Sequence, residues 1–262
     1  MRTFVCSDIH GQFDAWYSAL EKSGINFDNG DRLFILGDLI DRGNQSYEAV
    51  SFAIDLQMAY PEQVVYLMGN HQKMMIDFLN IRDPKSPEGY CELIQLGELW
   101  LMNGGGATVN SFVKGSPSPE PTNVLEVYEF FHAFYPCMIQ KLNALPYYHV
   151  DGGVVYVHAG FESGKPLLLQ DAETMTWIRG EFYNGFSPVS GDELDGKLIV
   201  HGHTPVQYFD DYTGSGFYRG DHHICVDGGS AMGEKVLVVN MDDMSYVEQK
   251  IQSNNDVKQI KY

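Results

Sequence analysis

The stretch Arg32-Leu33-Phe34-Ile35-Leu36-Gly37-Asp38-Leu39-Ile40-Asp41-Arg42-Gly43 decides how this chain reads. Arg32–Leu36 is a short apolar run closed by glycine and aspartate, the pattern of a buried strand. A turn after a strand accounts for a glycine and one aspartate. A second aspartate and an arginine, framed by two glycines, exceed what a turn needs. This loop carries charge for a metal or a phosphate.

The same arrangement flanks it on both sides. Upstream, Thr3–Cys6 is a strand that ends in Ser7-Asp8-Ile9-His10-Gly11, and Phe13–Glu21 has helical spacing. Downstream, Ser46–Met58 is helical and Val64–Met68 is a third strand. Gly69-Asn70 and a helix from His71 to Asn80 follow. Strand, loop and helix thus alternate three times in the first ~80 residues, which argues for a layered α/β fold. In each unit the polar residues come just after the strand. Ligands of α/β sheets bind outside the carboxyl ends of strands, so three loops aim at one rim.

The middle of the chain differs. Asp83–Gly89 reads as a polar loop, and Leu93–Met102 as a helix that stops at Gly104-Gly105-Gly106. Gly115–Pro121 is rich in serine and proline and reads as a loop. Asn123–Tyr135 is a helix with an aromatic face. Residues 82–145 are therefore expected to be a mostly helical insertion within a single domain spanning 1–262. Strands then return at Tyr147–Val150, Val154–Val157, Leu198–Val200, Ile224–Val226 and Val236–Val239. A last strand is expected at Tyr246–Lys250, before a polar tail that frays.

Composition narrows the functional classes. The chain has 262 residues, 44% hydrophobic and 20% charged, which excludes disorder, collagen and coiled coil as overall classes. Thirty-five acidic against 17 basic residues give a net charge of −18, with no basic field for a nucleic-acid backbone. An anionic substrate would need local reversal of that sign, by a metal or a pair of arginines. Cys6, Cys91, Cys137 and Cys225 are widely spaced and read as free thiols of a reducing compartment. No apolar run approaches the ~18 residues of a membrane span. No secretory or transit segment is legible before the first strand, so we expect a cytoplasmic protein without a membrane partner.

Asp8, His10, Asp38, Asn70, His158 and His203 all leave strand termini. Oxygen mixed with imidazole suits Mn, Fe or Zn and not Ca, which takes oxygen alone. Six ligands are too many for one catalytic ion that must keep an open position. They suit two ions with a bridging carboxylate. Apart from the Gly37–Gly43 loop, turn chemistry explains most of these motifs singly; it does not explain five of them at strand ends in this order.

That order, Asp-x-His-Gly, Gly-Asp-x-x-Asp-Arg-Gly, Gly-Asn-His, His-Ala-Gly, Gly-His-Thr-Pro, resembles the calcineurin-like metallophosphoesterases. Within them the chain is similar to the phosphoprotein phosphatases, the serine/threonine phosphatases, and most of all to small bacterial and phage enzymes of the lambda phosphatase type. Gly69–Asp77, Trp100–Gly106, Trp177-Ile178-Arg179 and Val226-Asp227-Gly228-Gly229 carry this nearer likeness. The resemblance spans residues 3–240. It implies a central β-sandwich of two mixed sheets flanked by helices, in α/β/β/α layers. It implies that Asp8, His10 and Asp38 hold one metal and that Asp38 bridges to a second, held also by Asn70, His158 and His203. His71 would be the general acid for the leaving alkoxide, oriented by Asp41, with Arg42 and Arg179 on the phosphoryl oxygens. The implied reaction is in-line attack on phosphorus by a hydroxide held between two divalent ions. Mn²⁺ is the expected metal, with Fe or Zn as alternatives, and the expected partner is a phosphorylated protein or small phosphoester.

The departures have consequences. Ser7 replaces a glycine. Met68 and Gln72 replace the arginine and glutamate that usually flank Gly-Asn-His, removing one anion-binding side chain and one carboxylate. Asp227-Gly228-Gly229 replaces Asp-Thr-Gly, and Gly180 separates Arg179 from Glu181. His132 and His149 read as structural, as does His201, and His222-His223 as a surface pair. The competing activity is hydrolysis of diadenosine polyphosphates or nucleotide pyrophosphates. That branch typically lacks the second aspartate, which is Asp41 here. A non-catalytic binding module is the reading from another class, and it expects lost ligands.

Overall fold

The computed structural model describes residues 1–252; the expected fraying of the tail lies outside the described residues. Two mixed five-stranded sheets form its centre. The first is built from β1 (Thr3–Cys6), β2 (Arg32–Ile35), β3 (Val64–Tyr66), β9 (Lys235–Asn240) and β10 (Tyr246–Lys250), in the order β10-β9-β1-β2-β3. β1, β2 and β3 run parallel, as the intervening helices require. β9 and β10 add antiparallel strands on the other side of β1. The second sheet takes β4 (Tyr148–Asp151), β5 (Val154–Val157), β6 (Leu198–His201), β7 (Tyr218–Arg219) and β8 (His223–Cys225), in the order β4-β5-β6-β8-β7.

Side-chain alternation along these strands builds the layers. Val5, Phe34 and Val239 of the first sheet meet Tyr156, Val200 and Ile224 of the second in one apolar cluster. The rings of Phe34 and Tyr156 stack across this interface with centroids 4.0 Å apart. Phe4, Cys6, Leu33 and Ile35 point the other way, into the core beneath α1 (Phe13–Ser23), α2 (Ser46–Ala59) and α3 (Asn70–Leu79). On the far side Val155, Val157 and Ile199 pack with Phe161, Met175 and Phe182. The expected α/β/β/α order of layers is therefore present.

The helical middle departs from the sequence reading in detail. α4 (Pro87–Trp100) begins earlier than expected, because Ser86 caps it through Gly89 N–H and Pro87 opens its first turn. Gly104 breaks the helix, as expected: its φ of 110° kinks the chain after Leu101-Met102-Asn103. A further helix absent from the sequence reading, α5 (Gly106–Lys114), starts directly beyond the kink. After α6 (Val124–Phe134), Pro136 starts a new helix, α7 (Pro136–Asn143), which the sequence reading missed. These helices share the large apolar cluster under α3, through Leu93, Trp100, Phe112, Phe131 and Leu142. Two short helices, α8 (Ala172–Trp177) and α9 (Gly180–Tyr183), cover the second sheet.

The expectation of a surface histidine pair is corrected at His223. β8 lies between β6 and β7, and His223 is only 1% exposed. Its Nδ1 is 2.8 Å from Nε2 of His201, and Phe182 packs on both rings. Burial pushes His223 down to about 4. His201, the last residue of β6, packs among these rings with Nδ1 2.9 Å from Gly202 O and is absent from both groups of candidate metal donors. Among the described residues no helix is long and apolar enough to cross a membrane.

Candidate metal centre

The strand-end loops are laced together by main-chain hydrogen bonds. Asp8 N–H donates to Gly37 O at 3.1 Å, His10 N–H to Asp38 O at 2.9 Å and Gly11 N–H to Leu39 O at 2.8 Å. The loops approach so closely that glycine is required at the crossings. A Cβ on Gly69 would overlap the Asp38 carboxylate, and one on Gly202 the Asp8 carboxylate. Asp8, His10, Asp38, Asp41, Arg42 and His203 all have positive φ, between 48° and 71°. Such backbone is costly for non-glycine residues and persists where surrounding contacts over-determine it.

Two groups of donor atoms result, each within 4.8 Å: His10, Asp38 and His71, and Asp38, His158 and His203. Asp38 belongs to both. Asp8 Oδ1 stands 4.0 Å from His10 Nε2, and Asn70 Oδ1 stands 3.0 Å from His158 Nε2. Asp38 Oδ2 lies 3.8 Å from His10 Nε2 and 3.4 Å from His158 Nε2. His10 and His158 each present Nδ1 to a main-chain carbonyl, Ile40 O at 2.9 Å and Leu36 O at 2.8 Å. Donating Nδ1–H there leaves the Nε2 lone pair free, the usual way a protein orients a ligating imidazole. His203 Nε2 is 3.2 Å from Trp177 O, which leaves its Nδ1 as the free nitrogen. The opposite carboxylate oxygen of Asp38 accepts from His71 N–H at the start of α3, and Asp8 Oδ2 accepts from His203 N–H.

His71 sits in the first donor group, but both its ring nitrogens are already engaged. Nδ1 is 2.6 Å from Asp41 Oδ2, and Nε2 accepts from the Arg42 guanidinium at 3.2 Å. That separates it from the other donors: Nδ1 is held by the buried Asp41, while Nε2 meets Arg42 in the lining of the cleft. Arg42 and Arg179 are exposed at the mouth of a cleft of about 190 Å³. Asp8, His10, Asp38, Asn70 and His203 line the same cleft. All ten residues selected from the sequence therefore gather at one end of the sandwich.

The electrostatics describe a site short of positive charge. Burial pushes the Asp8 carboxyl up, and neighbouring Asp38 adds to that. Burial also pushes Asp38 up, but His158 and His71 outweigh it and hold it well below the usual carboxylate range. Burial works against a charged His158, yet Asp38 raises it to about 9. Burial drives His10 and His203 well down, so both are neutral imidazoles with lone pairs to give. Buried carboxylates beside neutral imidazoles make a donor set that divalent ions fit. The proton drawn to His158 stands where a cation would otherwise balance Asp38.

Residue reading missed several neighbours. Asp41 is fully buried, and Trp100 Nε1–H reaches both its carboxylate oxygens at 3.1 Å. Thr108 Oγ1 donates to Asp41 Oδ1 at 2.6 Å. Trp100 was visible in its glycine-bearing motif; nothing in the sequence pointed to Thr108. Asp227, at the end of β8, lines the cleft, and burial with Asp8 nearby raises it well above its ordinary value. The two departures around Gly-Asn-His also resolve. Met68 is buried in the apolar core and does not line the cleft. Gln72 accepts from Asp38 N–H at 2.9 Å and donates to the Tyr66 hydroxyl at 2.8 Å, so a neutral amide satisfies both.

Two parallel-strand loops, a shared aspartate and a histidine–aspartate pair define a layered phosphoesterase type of site. The chain belongs to the calcineurin-like phosphoesterase family, whose pattern it matches over residues 1–242. Over 74 residues it is 42% identical to the serine/threonine-protein phosphatase 6 catalytic subunit of Caenorhabditis elegans. That match covers 28% of this chain and spans only 21% of the relative's length. A protein serine/threonine phosphatase from Saccharomyces cerevisiae superposes with a TM-score of 0.58 at 15% identity, covering 98% of this chain and 81% of that one. A provisionally assigned diadenosine tetraphosphatase superposes with a TM-score of 0.56 at 19% identity, covering 97% and 95%. At such identities these likenesses speak for the fold alone.

Proposed function

We propose that this protein is a two-metal phosphomonoesterase acting on phosphoserine and phosphothreonine in proteins. One observation carries the reading: a buried His71–Asp41 pair, 2.6 Å apart, stands beside an aspartate shared by two groups of donor atoms. An alkoxide is a poor leaving group and needs a proton; an anhydride needs one much less. A site that keeps a histidine oriented by an aspartate is equipped for the ester.

In this reading Asp8, His10 and Asp38 hold one ion, and Asp38, Asn70, His158 and His203 the other. Two divalent ions, Mn²⁺ by preference with Fe or Zn as alternatives, supply Lewis acidity toward the phosphoryl oxygens and acidify water. Arg42 and Arg179 bind the phosphoryl group through planar guanidinium donors, suited to paired oxygens. Asp41 accepts Nδ1–H of His71 and holds the ring in place; in the doubly protonated ring Nε2–H, turned to the leaving oxygen, gives up the proton and the ring is left neutral. Against a net charge of −18, the arginines and ions make the cleft a local anion site. The free state of all four cysteines supports a reducing, cytoplasmic setting. We read the chain as one domain, with the helical segment 82–145 shaping substrate choice.

The test compares metal-stripped and Mn²⁺-refilled protein on a phosphoserine peptide, p-nitrophenyl phosphate and diadenosine tetraphosphate. The expected result is Mn²⁺-dependent release from the peptide, abolished in His71→Asn. Hydrolysis of the dinucleotide alone would move the protein to the anhydride-cleaving branch. Bound metal without hydrolysis would return it to a binding role.

A further inference from the structure

We propose that Trp100 and Thr108, from the helical segment, are positioning residues for the proton donor. They fix Asp41, and through it the ring of His71. This rests on the proposed reading of His71 as general acid and adds the parts that hold it in place.

The geometry points one way. Asp41 has no exposed surface, so its carboxylate must find its partners inside the protein. His71 takes Oδ2 at 2.6 Å, Thr108 Oγ1 takes Oδ1 at 2.6 Å and the Trp100 indole N–H is shared between both oxygens at 3.1 Å. Three donors from three helices set both the place and the plane of one carboxylate. The main chain is clamped as well. Asp41 has a φ of 71°, and its N–H is met by Thr108 Oγ1 at 2.9 Å and Ser46 Oγ at 3.2 Å. Arg42 N–H donates to Gly104 O at 3.2 Å.

The glycine triplet gains a purpose here. Gly105 lies against the face of the Trp100 indole, where a Cβ would collide with the ring. Gly104, with φ of 110°, passes so close to Arg42 that a Cβ would touch its side chain and main chain. The kink at Gly104 between α4 and α5 thus lets Trp100 and Thr108 reach the same carboxylate from two different helices. An indole packed only for its apolar surface would not need its N–H on both carboxylate oxygens.

Trp100→Phe keeps the ring and removes the donor; Thr108→Val keeps the shape and removes the hydroxyl. Acid catalysis matters for an alkoxide and hardly for p-nitrophenolate. Both variants, loaded with Mn²⁺, should lose about tenfold or more in kcat on the phosphoserine peptide and about threefold or less on p-nitrophenyl phosphate. Thr108→Ser should restore the wild-type ratio between the two substrates. Equal loss on both substrates, or no loss on either, would overturn the proposal. A readout independent of activity accompanies this. The downfield proton resonance of His71 Nδ1–H, identified by its absence in His71→Asn, should shift or broaden in both variants. An unchanged resonance would also overturn it. If wild type cleaves neither substrate, the proposed function fails, and the resonance alone decides the positioning role. If Trp100→Phe does not fold, Thr108→Val decides.

Discussion

Gln72 shows how a single side chain bears on the centre without touching substrate. Its amide oxygen holds Asp38 N–H and its amide nitrogen holds the Tyr66 hydroxyl, all three groups being buried. Gln72→Leu would fill the space and leave Asp38 N–H and the Tyr66 hydroxyl without partners. Stranding buried polar groups costs about 1–3 kcal/mol, which urea unfolding of metal-stripped protein should register. Removing the metal first keeps ligand binding out of the comparison. A change within 0.5 kcal/mol, about the scatter of neutral surface substitutions, would mean the amide is not engaged. At this scale the sequence was most readable. Asp8, His10, Asp38, Asn70 and His203 each lie within a few residues of a strand end, so local order along the chain reports their place in space. Trp100 and Thr108 act on a residue 59 and 67 positions away, and no local pattern carries that information.

The elements that carry the second sheet's ligands are small, and their ends matter. α8 has six residues, too few to be stable alone, and is held by its cap. Asp171 accepts from Thr174 N–H at 2.8 Å and pairs with Lys165 at 2.9 Å. The helix in turn fixes Met175 O, which receives Ala159 N–H beside His158, and Trp177 O, which receives His203. The Thr174 bond, then Lys165, lowers the Asp171 carboxyl to about 2 from an ordinary 3.8. A depressed carboxylate stabilises the fold above its ordinary value, and that contribution is lost as pH falls through the folded value. Asp171→Ala should therefore cost about 1 kcal/mol at pH 7 and progressively less between pH 4 and pH 2. Denaturant melts at pH 7 and pH 3 measure this; a pH-independent cost would contradict it. The helices missed from the sequence follow the same logic. Proline at the first turn of α7 and the kink at Gly104 before α5 read locally as breaks, and both are breaks. The helices that start beyond them are specified by packing under α3, and packing is not local. His223 was misplaced because β7, the two-residue strand that covers its flank, is too short to be legible.

Across the whole molecule, charge and site pull in opposite directions. Thirty-five acidic residues against 17 basic ones repel a phosphate at distance, while the cleft attracts it at close range. Long-range repulsion is screened over about 10 Å at 0.1 M salt. The KM for a phosphopeptide should therefore fall as ionic strength rises from about 10 to 100 mM. A rise would mean that the positive cleft dominates approach. On the proposed reading, two sheets bring six strand-end side chains to two metal positions, with Asp38 common to both. The most direct test is the manganese content of purified, refilled protein by native mass spectrometry, alongside Asp38→Asn and His203→Asn. Two ions per chain are expected in the wild type, with loss of both in Asp38→Asn and loss of one in His203→Asn. A wild type that binds one ion or none, or an Asp38→Asn protein that keeps both, would contradict that reading.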